Sequence, residues 1–419
     1  MRRIFLVVLA VMVAGASAAA AQRAAPACDP DNGGLVLPAG FCATLFATVE
    51  SPRHIAVGPN GAVFVSGTRG GVTALRDLNA DGHADTTATF GASFGASGTG
   101  IAITNDAIYY APNDKVVRFA WRPGSMLPAD GGTVIVSGLP TGGHTAKPIT
   151  LGKDGSLFVD QGSPGNVCVG QGAPGSGVVL KEPFPPCADL EFRAGIWRYD
   201  GRKPGQTLAD GERWVTGFRN GMAIGVEPTT GVLWGATHGR DQLGQWPGYT
   251  VEDNAEKPAE EFGMLTKGSD FGWPYCYYDP IAKKKMLAPE YGGDNVKQGS
   301  CGQKTQPVIA FPGHWAPLQL AFVPPHNSLG PAYASGAFIA FHGSWNRAPL
   351  PQDGFRIVFI PFKDGKATGQ YSTFAKGAGS GPASQIKLSG VAVSPEGNAI
   401  YLASDQVGKV WRIIPTGGK

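Results

Sequence analysis

One phrase recurs along this chain: a short stretch of alternating apolar residues, a tight turn, then a second stretch rich in aromatic and β-branched residues. It occurs at 54–57 with 63–65, 100–103 with 107–110, 148–151 with 157–159, 222–225 with 232–234, 318–322 with 337–340, and 390–393 with 399–402. Several copies run on into a third stretch with a basic residue, at 116–119, 195–199 and 409–413. Period-2 alternation bounded by Gly, Pro, Asn and Asp is the pattern of strands joined by hairpins. One small sheet cannot bury both faces alone, so sheets repeated at this spacing must stack as a propeller or a solenoid. No long amphipathic helical stretch interrupts the copies. The chain therefore reads as all-β: a six-bladed β-propeller over 40–419, preceded by a leader at 1–21 and an N-terminal extension at 22–39 that carries Cys28. The 62 glycines and 34 prolines beside 42% hydrophobic residues suit many turns joining buried strands rather than disorder.

The leader has Arg2 and Arg3, an apolar run over 4–13, and small residues up to Ala21. That is the pattern of a cleavable export signal. Its apolar run is shorter than the roughly 20 residues a membrane-spanning helix needs, and no later segment supplies them. The expectation is a periplasmic or secreted protein with no transmembrane segment after signal cleavage. Six cysteines form three local pairs, Cys28 with Cys42, Cys168 with Cys187 and Cys276 with Cys301, which an oxidising compartment would join as disulfides. None has the C-x-x-C spacing of a zinc knuckle or a covalent haem. A redox activity would therefore pass its electrons to an external acceptor such as a cytochrome or a quinone. Of 35 Lys and Arg, Arg2 and Arg3 leave with the leader, and the remaining 33 nearly balance 32 Asp and Glu. Such a surface does not point to nucleic acid or an anionic membrane as a partner.

The copies are unevenly spaced because of insertions at 162–193, 239–274 and 342–355. Long loops on a rigid scaffold build sites, or else are decorations pinned by the nearby cysteines. The most specific motif is D-x-N-x-D-G-x-x-D, with Asp77, Asn79, Asp81 and Asp85 at alternating positions around Gly82. Oxygen ligands so spaced, with the His83 carbonyl, wrap a Ca²⁺; Ala88 stands where an EF-hand has its bidentate Glu, and an Asx-rich turn without metal is the other reading. Arg219 and Asn220 directly precede a strand, with Thr237 to Asp241 beyond it; Ser344 and Arg347 follow a strand, with Arg356 beyond. The planar fork of Arg matches carboxylates, so these cations suit an anionic ligand at one end of the channel.

Residues 217–220 (GFRN), with 239–241 and 271–274 (FGWP), resemble the fourth-blade region of the soluble quinoprotein sugar dehydrogenases. Residues 37–41 (LPAGF), 313–318 (GHWAPL) and 342–347 (HGSWNR) are similar to the sorbosone branch of that glucose/sorbosone dehydrogenase family. The resemblance covers nearly all of the mature chain. It implies pyrroloquinoline quinone lying across the propeller mouth and His144 as the base that takes a hydroxyl proton. It also implies Arg219, Asn220, Ser344, Arg347 and Arg356 on the cofactor, and the backbone carbonyls of Gly239 and Arg240 on a bridging Ca²⁺. The substrate would be a sugar, sugar aldehyde or polyol, and Trp345 and Trp315 either stack on its ring or belong to the core. Met222 departs from the glutamine of the glucose-oxidising members, and 324–326 (PPH) from their cofactor-binding lysine; Lys147 or Arg356 would compensate. A ligand-binding propeller without catalysis and a Ca²⁺-dependent hydrolase of the lactonase type are the competing readings.

Overall fold

The computed structural model describes residues 28–171 and 179–417; the leader at 1–21 lies outside them. Six sheets stand in a ring, antiparallel except for a short parallel pair at the outer edge of two of them, and each repeated phrase forms the two innermost strands of one sheet. The inner strands are Pro52–Val57, Gly98–Ile103, Ile149–Leu151, Ala223–Val226, Pro317–Phe322 and Gly390–Val393, each packed beside the next around a central channel. They approach closely enough that a Cβ on Gly100 would fall 2.1 Å from the Lys147 carbonyl oxygen. Among the described residues the single α-helix, Val251–Glu256, is six residues long, and no helix is long and apolar enough to cross a membrane.

The last sheet closes the ring. Its outer strand is Phe41–Thr48, which runs antiparallel to Lys409–Pro415, so the two ends of the propeller share one sheet. The boundary placed at residue 40 falls inside this architecture, because Leu35–Val36 already pairs with Ser372–Gly377 at the rim of the fifth blade. Between neighbouring blades the alternating side chains interdigitate in six apolar clusters, for example Phe338, Phe359, Phe374 and Trp411 between blades five and six. All three local cysteine pairs are disulfides. Two of them, with Trp273 and Tyr291, give the long insertions small cores of their own.

Antiparallel order fixes which end carries a site. Residues before an inner strand and residues after a second strand emerge at the same end, and all three long insertions follow second strands. The Asp77–Asp85 loop joins a third to a fourth strand and so lies at the opposite end. There it closes on itself: Asp77 accepts the Ala80 and Gly82 amides, Asp85 accepts those of Leu78 and Asn79, and Asp81 accepts that of His83. Such bonds are those of an Asx-rich turn and are equally compatible with a Ca²⁺ loop, so both readings of Asp77, Asn79, Asp81 and Asp85 stand.

Candidate functional site

His144 enters the site end from the Gly142-Gly143 turn, both glycines having positive φ (84° and 60°), just before the inner strand of blade three. The Ser163 carbonyl accepts both its backbone N–H, at 3.0 Å, and its ring Nδ1, at 2.9 Å. A carbonyl can only accept, so Nδ1 carries the proton and Nε2 is left with its lone pair. Burial, reinforced by the Arg219 guanidinium, pushes the imidazole pKa down to about 4. His144 is thus a neutral base held in one tautomer.

Across Gly162 from it lies Asn220, one of several buried polar side chains of blades three and four whose partners the protein does not supply. Asn220 Oδ1, Arg219 Nε, Gln161 Oε1 and both carboxylate oxygens of Asp160 are buried without a hydrogen bond. Unsatisfied groups in such number are costly. The space between His144 and Asn220 exists because residue 162 is Gly: a Cβ there would lie 2.5 Å from His144 Cβ and 3.1 Å from Asn220 Oδ1. Gly162→Ala, whose Cβ would also lie 2.6 Å from the His144 carbonyl oxygen, is expected to displace the His144 backbone and ring, lowering both the thermal midpoint and, at least tenfold, kcat/KM. A variant with wild-type kcat/KM would show that this space has no part in turnover.

Blade four supplies the charge. Arg219 donates through Nη1 to the Gly239 carbonyl (2.6 Å) and through Nη2 to Asn166 Oδ1 (2.9 Å) and Asp241 Oδ2 (3.1 Å). The other oxygen of Asp241 accepts Asn346 Nδ2 at 2.6 Å. Burial would raise the Asp241 pKa, but His314 and Arg219 hold it below the usual carboxylate range. Burial pushes Glu260 up to about 7 although it accepts the Gly239 and Ala316 amides. His314 and Ala316, between which Trp315 turns inward, have positive φ (66° and 57°), a backbone cost that is typical of functional sites.

Several expected site residues are not at the mouth's disposal. Every nitrogen of Arg347 is engaged, through four of its five N–H donors: Nε by the Pro351 carbonyl, Nη1 by those of Ala255 and Gly313, and Nη2 by Glu256. The hydroxyl of Ser344 accepts the Asp353 amide at 2.9 Å and is 3% exposed, so both residues pin the fifth-blade insertion instead of a ligand. Arg356 pairs with Asp353 and stacks 4.3 Å over Trp315. Trp315 is 4% exposed and belongs to the core, whereas Trp345 is 74% exposed. Arg240 forms a bidentate pair with Glu290, both buried, which leaves only its backbone for a ligand. Of the two carbonyls expected on Ca²⁺, that of Gly239 already spends one lone pair on Arg219. Met222, just before the inner strand of blade four, lines the channel with Ile224, Gln319 and Leu320.

Sequence reading missed Asp160, Asn166 and Glu260 as site residues and gave no role to Asp241 and Asn346, although both lie in motifs it singled out; all five reach the site only through tertiary packing. It also missed Arg53, whose Nη1 meets Asp405 at 2.7 Å while its buried Nε has no partner. Lys147 was noted as a cation only; it is 1% exposed, and burial pushes its pKa down to about 8. Burial raises that of Asp160, beside it in charge, likewise to about 8.

The TrAA12-like family model matches residues 35–416, nearly the whole described chain. The chain belongs to the TrAA12-like family. Among solved structures, the Trichoderma reesei carbohydrate-active enzyme of family AA12 aligns with a TM-score of 0.74 at 20% identity, covering 91% of this chain and 98% of that one. The holo form of the pyranose dehydrogenase PQQ domain from Coprinopsis cinerea aligns at 0.70 and 19% identity, covering 91% and 97%. These likenesses show the shared propeller. In sequence, the TrAA12-like chain is 29% identical over 170 residues to the pyrroloquinoline quinone-dependent pyranose dehydrogenase of Coprinopsis cinerea, which is 34% of this chain. It is 26% identical over 143 residues to a pyrroloquinoline quinone-dependent sugar dehydrogenase of Hypocrea jecorina, 30% of this chain. The matches span about a fifth of the first relative's length and about a third of the second's.

Proposed function

We propose that this protein is an exported quinoprotein oxidoreductase that oxidises a sugar or sugar aldehyde with pyrroloquinoline quinone and passes the electrons to a separate carrier. The observation that carries the reading is His144, locked as an Nδ1–H tautomer with a free Nε2, across Gly162 from Asn220, one of several buried polar groups that lack partners. The donor left over at Arg219 Nε, with Arg53 and Lys147 around the same mouth, suits an anionic ligand bearing carboxylates and quinone oxygens, while Asn220 Oδ1 is left to accept a hydrogen bond. Ca²⁺ would take the second lone pair of the Gly239 carbonyl together with the Arg240 carbonyl. When bound, the cofactor supplies two-electron oxidation of a C–H bond. The protein's share is to orient the sugar, to take the hydroxyl proton at His144 Nε2 and to keep charge balanced through Arg219 and Asp241.

The relatives named for pyrroloquinoline quinone support the cofactor, and the three disulfides support an oxidising compartment. Of the carboxylates that a lactonase-type hydrolase would direct at one central ion, Glu260 is engaged by backbone amides and Asp241 by Arg219 and Asn346, which leaves Asp160 alone without partners.

The test is to titrate the protein with pyrroloquinoline quinone in the presence of Ca²⁺ by calorimetry while following dye reduction with a panel of aldoses. Saturable, Ca²⁺-dependent binding and sugar-dependent dye reduction are expected. Because His144 works as the neutral imidazole, kcat/KM should fall as pH drops through about 4 rather than through the 6.5 of a free imidazole. No binding at tens of micromolar cofactor would overturn the assignment.

A further inference from the structure

Trp345 is the most exposed large hydrophobic side chain among the described residues, at 74%, and it lies beside the candidate site. It walls a shallow cleft of about 320 Å³, with Val251 on the apolar side and Asp241, Gln242, Gln245 and Asn254 around the edge. The cleft is joined to the site through Asp241, whose carboxylate binds Arg219 on one side and Asn346, the neighbour of Trp345, on the other. Asn346 Oδ1 is buried without a partner. The platform is also braced: Asn254 Nδ2 donates to the Asn346 carbonyl at 3.3 Å, and Asn254 Oδ1 accepts the Gly244 amide at 3.1 Å.

An open aromatic face edged by planar amides and a carboxylate matches a pyranose ring. The ring's axial C–H face needs an apolar, polarisable plane, and its equatorial hydroxyls need planar groups that donate and accept in pairs. Few other small molecules want both at once. Position adds a second constraint. Trp345 projects from blade five and His144 from blade three, with the Arg219–Asp241 pair of blade four between them. A ring stacked on Trp345 is therefore not the ring presented to His144.

We propose that the Trp345 cleft is a subsite for a second sugar ring, so that the substrate class is a di- or oligosaccharide oxidised at its reducing end. This rests on the dehydrogenase reading for the reacting ring, but binding at the cleft can be measured without it. Calorimetry with methyl β-cellobioside, which has no reducing end, on cofactor-free protein should show saturable binding. Trp345→Ala should weaken it about tenfold and Trp345→Phe about twofold. With cofactor and dye, the wild-type KM for cellobiose should lie well below that for glucose. Trp345→Ala should raise only the cellobiose KM, leaving kcat and the glucose KM unchanged, because the exposed ring supports nothing beneath it. Equal affinity of wild type and Trp345→Ala for the glycoside, or no preference for cellobiose over glucose in an active enzyme, would overturn the subsite. Glycoside binding that depends on Trp345 in a protein that neither binds cofactor nor reduces dye would uphold the subsite and overturn the dehydrogenase reading.

Discussion

Replacing His144 by alanine is expected to lower kcat/KM for dye reduction by about 10²- to 10⁴-fold, the usual contribution of a positioned general base. The loss should appear in kcat, with cofactor affinity and thermal midpoint nearly unchanged. The reason is local. The imidazole is only half-buried, and its fold-related bonds are the two to Ser163, of which the backbone N–H survives substitution. His144→Gln is the sharper control, since an amide can refill the Nδ1 contact but cannot take a proton near neutral pH. A His144→Ala protein that turns over within threefold of wild type would remove the base from His144 and transfer attention to His238. That ring is buried nearby, but its Nε2 is committed to the Pro317 carbonyl at 2.7 Å.

Arg240→Met should cost about 3–5 kcal/mol of stability, the range measured when one partner of a buried ion pair is removed. Glu290 is 0% exposed, and both its oxygens bind Arg240. Without the guanidinium its carboxylate is either a bare buried charge or must take up a proton. The double variant Arg240→Met with Glu290→Leu should recover most of the loss, because two well-packed apolar side chains need no partners. Denaturant unfolding followed by fluorescence separates the two cases. A single variant as stable as wild type would mean that water reaches Glu290 and that the pair contributes little. The pair ties the 239–241 turn to the insertion held by Cys276–Cys301, so loss of stability is expected to loosen the cofactor end of the propeller first.

The architecture was legible because its determinants are local and repeated. Each copy of the phrase carries its own alternation and turn residues, and all six became the innermost strand pairs of six blades. The cysteine pairs were readable for the same reason, since sequence neighbours in an oxidised chain close small loops. Arg219 and Arg347 show where that legibility stopped. Both stand beside an asparagine in a turn next to a strand, Arg219 before one and Arg347 after one, and nothing in that local pattern says which is free for a ligand. Arg347 is consumed by carbonyls of blade four and of its own loop, whereas Arg219 keeps an unpartnered Nε in the mouth. Trp315 and Trp345 parted in the same way, one under the Arg356 guanidinium and one in the open.

Periodicity, turn chemistry and cysteine spacing by themselves determined a closed ring of six sheets, its disulfides and the end at which loops accumulate, because each depends on residues a few positions apart. Only the tertiary structure decided which polar groups remain unsatisfied. That depends on what four separate insertions and strands, from Asn166 to Asn346, place within three ångströms of one another, and hydrogen bonds of that range leave no periodic trace in a sequence.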